Sequence, residues 1–143
     1  MEVPAFSIFS ALSELVVTAV VFYTILDNVK GRRLKWPLLG TVLAFELCVN
    51  IVYMVGKAGE AESKSEYSAG MLAFLAGHGL LSLAMFIGLC LLYTLSVIDL
   101  KEGKATWFQR HPKGAYVFLG LWTLSLLSGE AIFVIVYGPA LIS

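Results

Sequence analysis

Four ionisable side chains lie inside long apolar stretches of the 143-residue sequence, one in each stretch. They are Glu14, Glu46, His78 and Glu130. An ionisable group in lipid is costly and normally faces a bundle interior or a cavity with a partner, which makes each of these residues a functional candidate. Carboxylates and an imidazole could hold a divalent metal ion, transfer protons or fix the helices by hydrogen bonding.

The stretches that carry these residues are long enough to cross a bilayer. The chain is 59 % hydrophobic and only 14 % charged, which excludes an ordinary soluble domain. Each stretch exceeds or approaches the roughly 20 residues that a spanning helix needs, and backbone groups in lipid must be satisfied within their own segment. We therefore predict an all-α fold, a four-transmembrane-helix bundle forming one integral membrane domain over residues 1–143. The predicted helices cover about 5–26, 37–55, 69–98 and 115–141.

The four ionisable side chains are predicted to share one depth in the membrane. We count from the end of each span that lies on the same side of the membrane as the chain termini. About nine residues separate that end from Glu14, Glu46 and His78, and about eleven separate it from Glu130. With about 1.5 Å of rise per residue, all four lie roughly 13–17 Å deep. This layer predicts a metal site made by Glu14, Glu46, His78 and Glu130, with His78 as the cofactor-binding nitrogen.

Two other interpretations of the layer stay open. The carboxyls and His78 could form a proton-linked site, since intramembrane ionisable residues often mark proton pathways. They could instead form a structural network that fixes helix register or faces a partner subunit. Hydroxyl and amide residues at helical spacing, such as Thr18, Asn50 and Ser82, would supply hydrogen-bond partners in each case.

The donor types restrict the metal that the layer could bind. Oxygen and nitrogen ligands suit divalent copper, iron or zinc better than copper(I), which prefers sulfur. A haem is the less favoured cofactor, because His78 and His111 are predicted to lie about 20 Å apart along the membrane normal. A haem would need His78 with Met85, or one histidine from each of two chains.

The remaining motifs indicate packing rather than chemistry. Cys48 and Cys90 are predicted at different depths, too far apart for a disulfide bond. The sequence has no phosphate-binding loop and no arrangement typical of a nucleophilic triad, so it predicts no catalytic residue. Gly79 and Gly129 could allow close helix approach or leave room for a ligand beside His78 and Glu130.

Positive charge is concentrated in two of the three connections. The connection 27–36 and the connection 99–114 hold most of the basic residues, namely Lys30, Arg32, Arg33, Lys35, Lys101, Lys104, Arg110 and Lys113. The positive-inside rule places both connections in the cytoplasm and both termini on the outer face. We interpret the basic residues as determinants of topology and not as a nucleic-acid site.

Two segments in the second half of the chain carry a family resemblance. "GHGLLSLAMFIGLCLLYTL" resembles the His-led third helix of the CtaM-like family, and "RHPKGAYVFLGLWTLSLLSG" resembles its Arg-His loop and following helix. Members of that family are small four-helix bacterial membrane proteins associated with maturation of haem–copper oxidases. His78, His111, Trp122 and Gly129 occupy family-like positions. The second helix departs from the family, because it opens with "LKWPLLG" and lacks the usual His and Met.

The resemblance implies a function and a location. It implies an accessory or maturation subunit of a respiratory, haem–copper oxidase-like complex, in a prokaryotic plasma membrane and in contact with other membrane subunits. The alternatives are a small membrane cytochrome or metal-dependent redox enzyme, and a purely structural subunit of a larger complex.

Overall fold

Four long helices and one short helix make up the computed structural model, which describes residues 4–58 and 67–142. The helices are α1 (Ala5–Val29), α2 (Trp36–Ala58), α3 (Ala69–Lys101), α4 (Trp107–Arg110) and α5 (Pro112–Ile142), and no strand occurs in these ranges. The four long helices are each apolar and long enough to cross a membrane. The prediction of an all-helical fold with four helices that could span a membrane is therefore confirmed, and the placement of both termini on the outer face stays a prediction.

All four long helices are a few residues longer than the hydropathy pattern predicts, and two of them end beyond an acidic residue. α1 runs on to Val29 and α3 to Lys101, past the acidic residues Asp27 and Asp99. Both helices end beside a glycine in the left-handed region, Gly31 with φ 92° and Gly103 with φ 70°. A polar residue ends the apolar run without ending the helix, whereas a left-handed glycine does end it.

The short helix α4 was not predicted. Thr106 caps it, because its hydroxyl accepts a hydrogen bond from the Gln109 backbone N–H at 3.3 Å while the Gln109 side chain accepts one from the Thr106 backbone N–H at 3.1 Å. This is a capping box, and the spacing Thr-x-x-Gln is its sequence signature. Phe108 is fully buried within the single turn and anchors it to the bundle.

The long helices surround a common interior. α1 packs against α2 and α5, and α3 packs against α5, while α2 and α3 meet less extensively. The order around the bundle is therefore α2, α1, α5, α3. We call the end with the connections 30–35 and 102–106 the basic end. The opposite end, with residues 4, 58, 67 and 142, is the distal end.

The apolar core fills only the half of the bundle nearer the basic end. Its members closest to the distal end are Val17, Leu43, Met85 and Trp122. No residue with described burial at positions 5–16, 44–56, 69–84 or 126–139 is buried. Large apolar side chains on the outer faces stay exposed, which suits helices embedded in lipid.

Polar contacts close the basic end. The fully buried Asn28 accepts a hydrogen bond from Thr106 Oγ1 at 2.5 Å and donates one to the Arg32 carbonyl at 2.8 Å. The bond from Thr106 joins α1 to the cap of α4, 78 residues later in the chain. A buried amide whose hydrogen bonds are satisfied in this way fixes one arrangement of the elements around it.

Ion pairs lie next to the hydrogen bonds of Asn28 at the basic end. Asp27, which is 7 % exposed, binds Arg32 at 2.8 Å and Lys35 at 2.5 Å. The hydrogen bond to Asp27 raises the pKa of Lys35 above its ordinary value. Asp99 binds Arg110 at 2.6 Å and so holds α4 against the end of α3.

Candidate functional site

Polar side chains from all four long helices meet where the apolar core ends. We call this set the polar layer, and its members are Glu14, Glu46, His78, Ser82, Ser125, Ser128 and Glu130. Val17 is the buried residue of α1 that lies nearest the distal end, and Glu14 lies one helical turn further toward that end. Glu46 lies one turn beyond Leu43 in the same direction. The layer therefore separates a closely packed half of the bundle from a more open one.

A small cavity lies between the two carboxyls on α1 and α2. The space open to water inside it is about 10 Å³, enough for about one water molecule. All four long helices contribute to its wall, which consists of Glu14, Glu46, Ser82, Met85, Phe86, Trp122 and Ser125. Two acidic groups of neighbouring helices thus share one small polar space.

The imidazole of His78 is held by a chain of hydrogen bonds on α5. Its Nδ1 lies 2.8 Å from Ser128 Oγ, and Ser128 Oγ donates to the Ser125 carbonyl at 2.8 Å. A hydroxyl has a single proton to donate, so with that proton on the Ser125 carbonyl, Nδ1–H is the donor to Ser128. His78 then carries its lone pair on Nε2.

The Nε2 edge of His78 and the carboxylate of Glu14 lie beside the same backbone position, Gly129. A Cβ at Gly129 would lie 2.9 Å from His78 Cε1, 3.3 Å from His78 Nε2 and 3.8 Å from Glu14 Oε2. The last two distances together limit the separation of Nε2 and Oε2 to about 7 Å. Gly129 therefore provides the space in which an imidazole on α3 approaches a carboxylate on α1.

Hydrogen bonds orient the rest of the layer. Asn50 donates to Glu46 Oε1 at 3.2 Å and to the Glu46 backbone carbonyl at 2.9 Å. Next to the cavity, the Trp122 indole N–H donates to Thr18 Oγ1 at 3.0 Å and joins α5 to α1. Asn50 and Thr18 are among the residues that the helical spacing predicted as hydrogen-bond partners.

Glu130 belongs to the layer but is less enclosed. It follows Gly129 directly, and both Glu130 and Glu46 lie close enough to Glu14 for their charges to act on its carboxyl. Glu130 does not line the cavity, and its side chain makes no hydrogen bond within the described ranges. The layer is therefore two overlapping groups that share Glu14, with Glu46 on one side and His78 and Glu130 on the other.

The described side chains do not form a ready metal centre. No three histidine, cysteine, aspartate or glutamate residues in this part of the chain are arranged to hold a metal ion. The four-ligand metal site of Glu14, Glu46, His78 and Glu130 therefore stays a prediction. Both cysteines are free thiols, as expected.

The predicted haem ligands do not converge either. His78 and Met85 lie on the single helix α3, separated by about 10 Å of axial rise, so they cannot bind opposite faces of one iron. His111 lies at the basic end, exposed and 5.1 Å from the Trp107 ring centre. A haem bound by one histidine from each of two chains stays a prediction.

Sequence reasoning did not single out Ser125 and Ser128 as site residues. They are one helical turn apart on the face of α5 that meets His78, and Ser125 also lines the cavity. Their spacing to each other is a detectable signal, because residues three apart share one helical face. Serines in membrane helices also serve as small packing residues, so only the position of His78 on the neighbouring helix gives them a polar role.

Comparison of the chain with protein-family models, curated proteins and solved structures finds no match. The resemblance to the CtaM-like family accordingly remains a prediction from the quoted segments.

Proposed function

We propose that the polar layer is an intramembrane site that holds and passes protons. We further propose that the chain supplies it as an accessory or maturation subunit of a respiratory, haem–copper oxidase-like membrane complex. The observation that carries the proton-linked role is the approach of His78 Nε2 and Glu14 to the same glycine, Gly129. A nitrogen lone pair near a carboxyl is the pairing that a proton transfer needs.

Electrostatics favours a shared proton in this layer. The carboxyls of Glu46 and Glu130 both lie close enough to repel a charge on Glu14, and ionisation of all three in a membrane interior is costly. Sharing protons with one another, with His78 and with one water in the cavity lowers that cost. The Ser128 hydroxyl extends the set toward the Ser125 carbonyl.

A second candidate role is metal binding through His78, with copper, iron or zinc as the ion. The favouring observation is that Ser128 holds Nδ1 at 2.8 Å and leaves Nε2 as the nitrogen with a lone pair. Histidines that bind metals usually donate their other ring N–H to such a partner. Glu14, whose Oε2 lies beside the same glycine as Nε2, would be one oxygen donor, and further ligands would come from Glu46, Glu130 or another subunit.

The proposed membership of a respiratory complex is based on the resemblance of the two quoted segments to the CtaM-like family. The distribution of basic residues supports the accompanying topology, with the basic end in the cytoplasm and both termini outside. Labelling of a Lys104→Cys variant in a Cys48→Ala/Cys90→Ala background with an impermeant thiol reagent tests this topology. Labelling of intact cells would reverse it, whereas labelling only after lysis supports it.

Infrared spectroscopy tests the proton-linked role. In lipid-reconstituted protein, we expect a carboxyl C=O band that changes with pH and is lost or shifted in Glu14→Gln. The matched control is Glu102→Gln at the basic end, whose side chain is exposed and ion-paired with Lys104 at 2.6 Å. An identical carboxyl spectrum in wild type and Glu14→Gln would contradict the proposal.

Copurification tests the proposed membership of a respiratory complex, and elemental analysis tests the metal-binding role. Gentle detergent extraction of the tagged protein should recover respiratory subunits, and their absence would contradict the proposed complex. Stoichiometric metal in wild type that is lost in His78→Ala would replace the proton-linked role with metal binding. A Soret band in the purified protein would favour the cytochrome alternative.

A further inference from the structure

A second cavity lies at the basic end, outside the polar layer. An open cavity of about 520 Å³ is lined by Trp107, Arg110, His111, Pro112, Lys113 and Gly114. Two of these residues are permanently basic, and the lining contains no acidic residue. The opening is wide, and its wall carries the basic side chains of Arg110 and Lys113, which suit an anionic group.

The position of this cavity is at the edge of the bilayer. Pro112 begins α5, and the apolar span of that helix includes the fully buried Ala115 one turn later. Trp107 lies at the same level, and tryptophan is enriched where the lipid headgroups meet the hydrocarbon. The first turn of α5 also presents backbone N–H groups and the positive end of a 31-residue helix toward this side.

The cavity wall is held in place by specific contacts. Arg110 donates to Asp99 at 2.6 Å and to the Ala105 carbonyl at 3.2 Å, which leaves Nη1 without a hydrogen bond in the described ranges. Trp107 packs closely on α5, because a Cβ at Gly114 would lie only 2.9 Å from the indole. The basic groups are therefore attached to a fixed wall rather than to an unstructured loop.

From these observations we infer that this cavity binds the phosphate headgroup of an anionic phospholipid in the leaflet at the basic end. Lys113 and the remaining Arg110 donors contact the phosphate, and Trp107 packs against the glycerol and upper acyl region. The inference does not depend on the role of the polar layer. A bound lipid of this kind would fix the depth of α4 and α5 in the membrane.

Native mass spectrometry of the full chain in detergent, titrated with phosphatidylglycerol or phosphatidylcholine, tests the inference. We expect one phosphatidylglycerol to bind preferentially, with about a fivefold weakening in Lys113→Gln, the effect of one basic residue near an anionic headgroup. Lys101→Gln removes the same charge at the same end but lies outside the cavity. It should leave the affinity unchanged.

Three results would overturn the inference. Equal weakening by Lys113→Gln and Lys101→Gln would mean attraction to the overall charge of this end. Absence of any preference for phosphatidylglycerol would mean that the cavity binds no anionic headgroup. Displacement of phosphatidylglycerol by millimolar inorganic phosphate would assign the cavity to a soluble anion.

Discussion

His78 on α3 and Glu14 on α1 approach each other across Gly129 of α5, with the imidazole Cε1 only 2.9 Å from the position that a Cβ would take there. The arrangement involves three helices and places the nitrogen that Ser128 does not hold within about 7 Å of a carboxyl oxygen. Each residue alone would be a costly polar group in a membrane helix, and together they form one polar layer.

Replacement of Gly129 tests this geometry. In Gly129→Ala the new methyl would collide with the His78 ring, so we expect the ring to move and the protein to lose about 1–3 kcal/mol of stability. Gly120→Ala is the control on the same helix, because a Cβ there meets nothing within 4 Å. Unfolding in mixed micelles should show a loss only for Gly129→Ala, and equal stability of the two variants would refute the packing described.

The hydrogen bond between Trp122 and Thr18 joins α5 to α1 beside the cavity. The substitutions Trp122→Phe and Thr18→Val each remove one partner of this 3.0 Å hydrogen bond. A double-mutant cycle on the free energy of unfolding should give a coupling of about 1 kcal/mol. A coupling near zero would show that the two groups do not interact in the membrane.

Closure of the basic end depends on a buried hydroxyl. Thr106→Val removes the donor to Asn28 and the cap of α4, so we expect a loss of about 2–4 kcal/mol from an unsatisfied buried amide and a missing cap. Thr41→Val is the matched control, since its exposed hydroxyl bonds only the Pro37 carbonyl of its own helix. If both variants unfold at the same denaturant concentration, the closure contributes nothing to stability.

The ion pair of Lys35 with Asp27 should stay effective over a wide alkaline range. The pKa of Lys35 is raised in the folded protein, so its contribution is fully present below the ordinary value of 10.5 and is lost as pH rises through the raised value. The stability difference between wild type and Lys35→Gln should therefore be constant from about pH 7 to pH 10. It should shrink only at higher pH.

A matched background separates this ion pair from other effects of Lys35. In Asp27→Asn, the substitution Lys35→Gln should have much less effect, because the partner carboxylate is gone. A difference that falls steadily between about pH 7 and pH 9 would contradict the raised pKa.

The fold was predictable because it depends on summed hydropathy. Runs of about 20 apolar residues predict the spans whatever their partners are. The ends of α1 and α3 at the basic end were less predictable from hydropathy, since both helices continue past Asp27 and Asp99, which are ion-paired with Arg32, Lys35 and Arg110. The glycines Gly31 and Gly103 mark these boundaries, whereas the end of the apolar run does not.

The candidate site was predictable in its positions and not in its contacts. Counting residues from the membrane boundary places Glu14, Glu46 and His78 at similar depths, because helical rise is constant. The rotation of each helix about its axis is not fixed by that count, and rotation decides which groups meet. For that reason the link from His78 to Ser128, and the gap at Gly129, emerge only from the structure.

The central claim is that Glu14 and His78 form one site. Nitrogen-15 NMR of histidine-labelled protein in lipid tests this claim most directly. The sequence has two histidines, so His111→Gln leaves the signals of His78 alone. We predict an Nδ1–H tautomer whose Nε2 signal shifts in Glu14→Gln and stays in place in Glu102→Gln. Identical His78 signals with and without the Glu14 carboxyl would contradict the account.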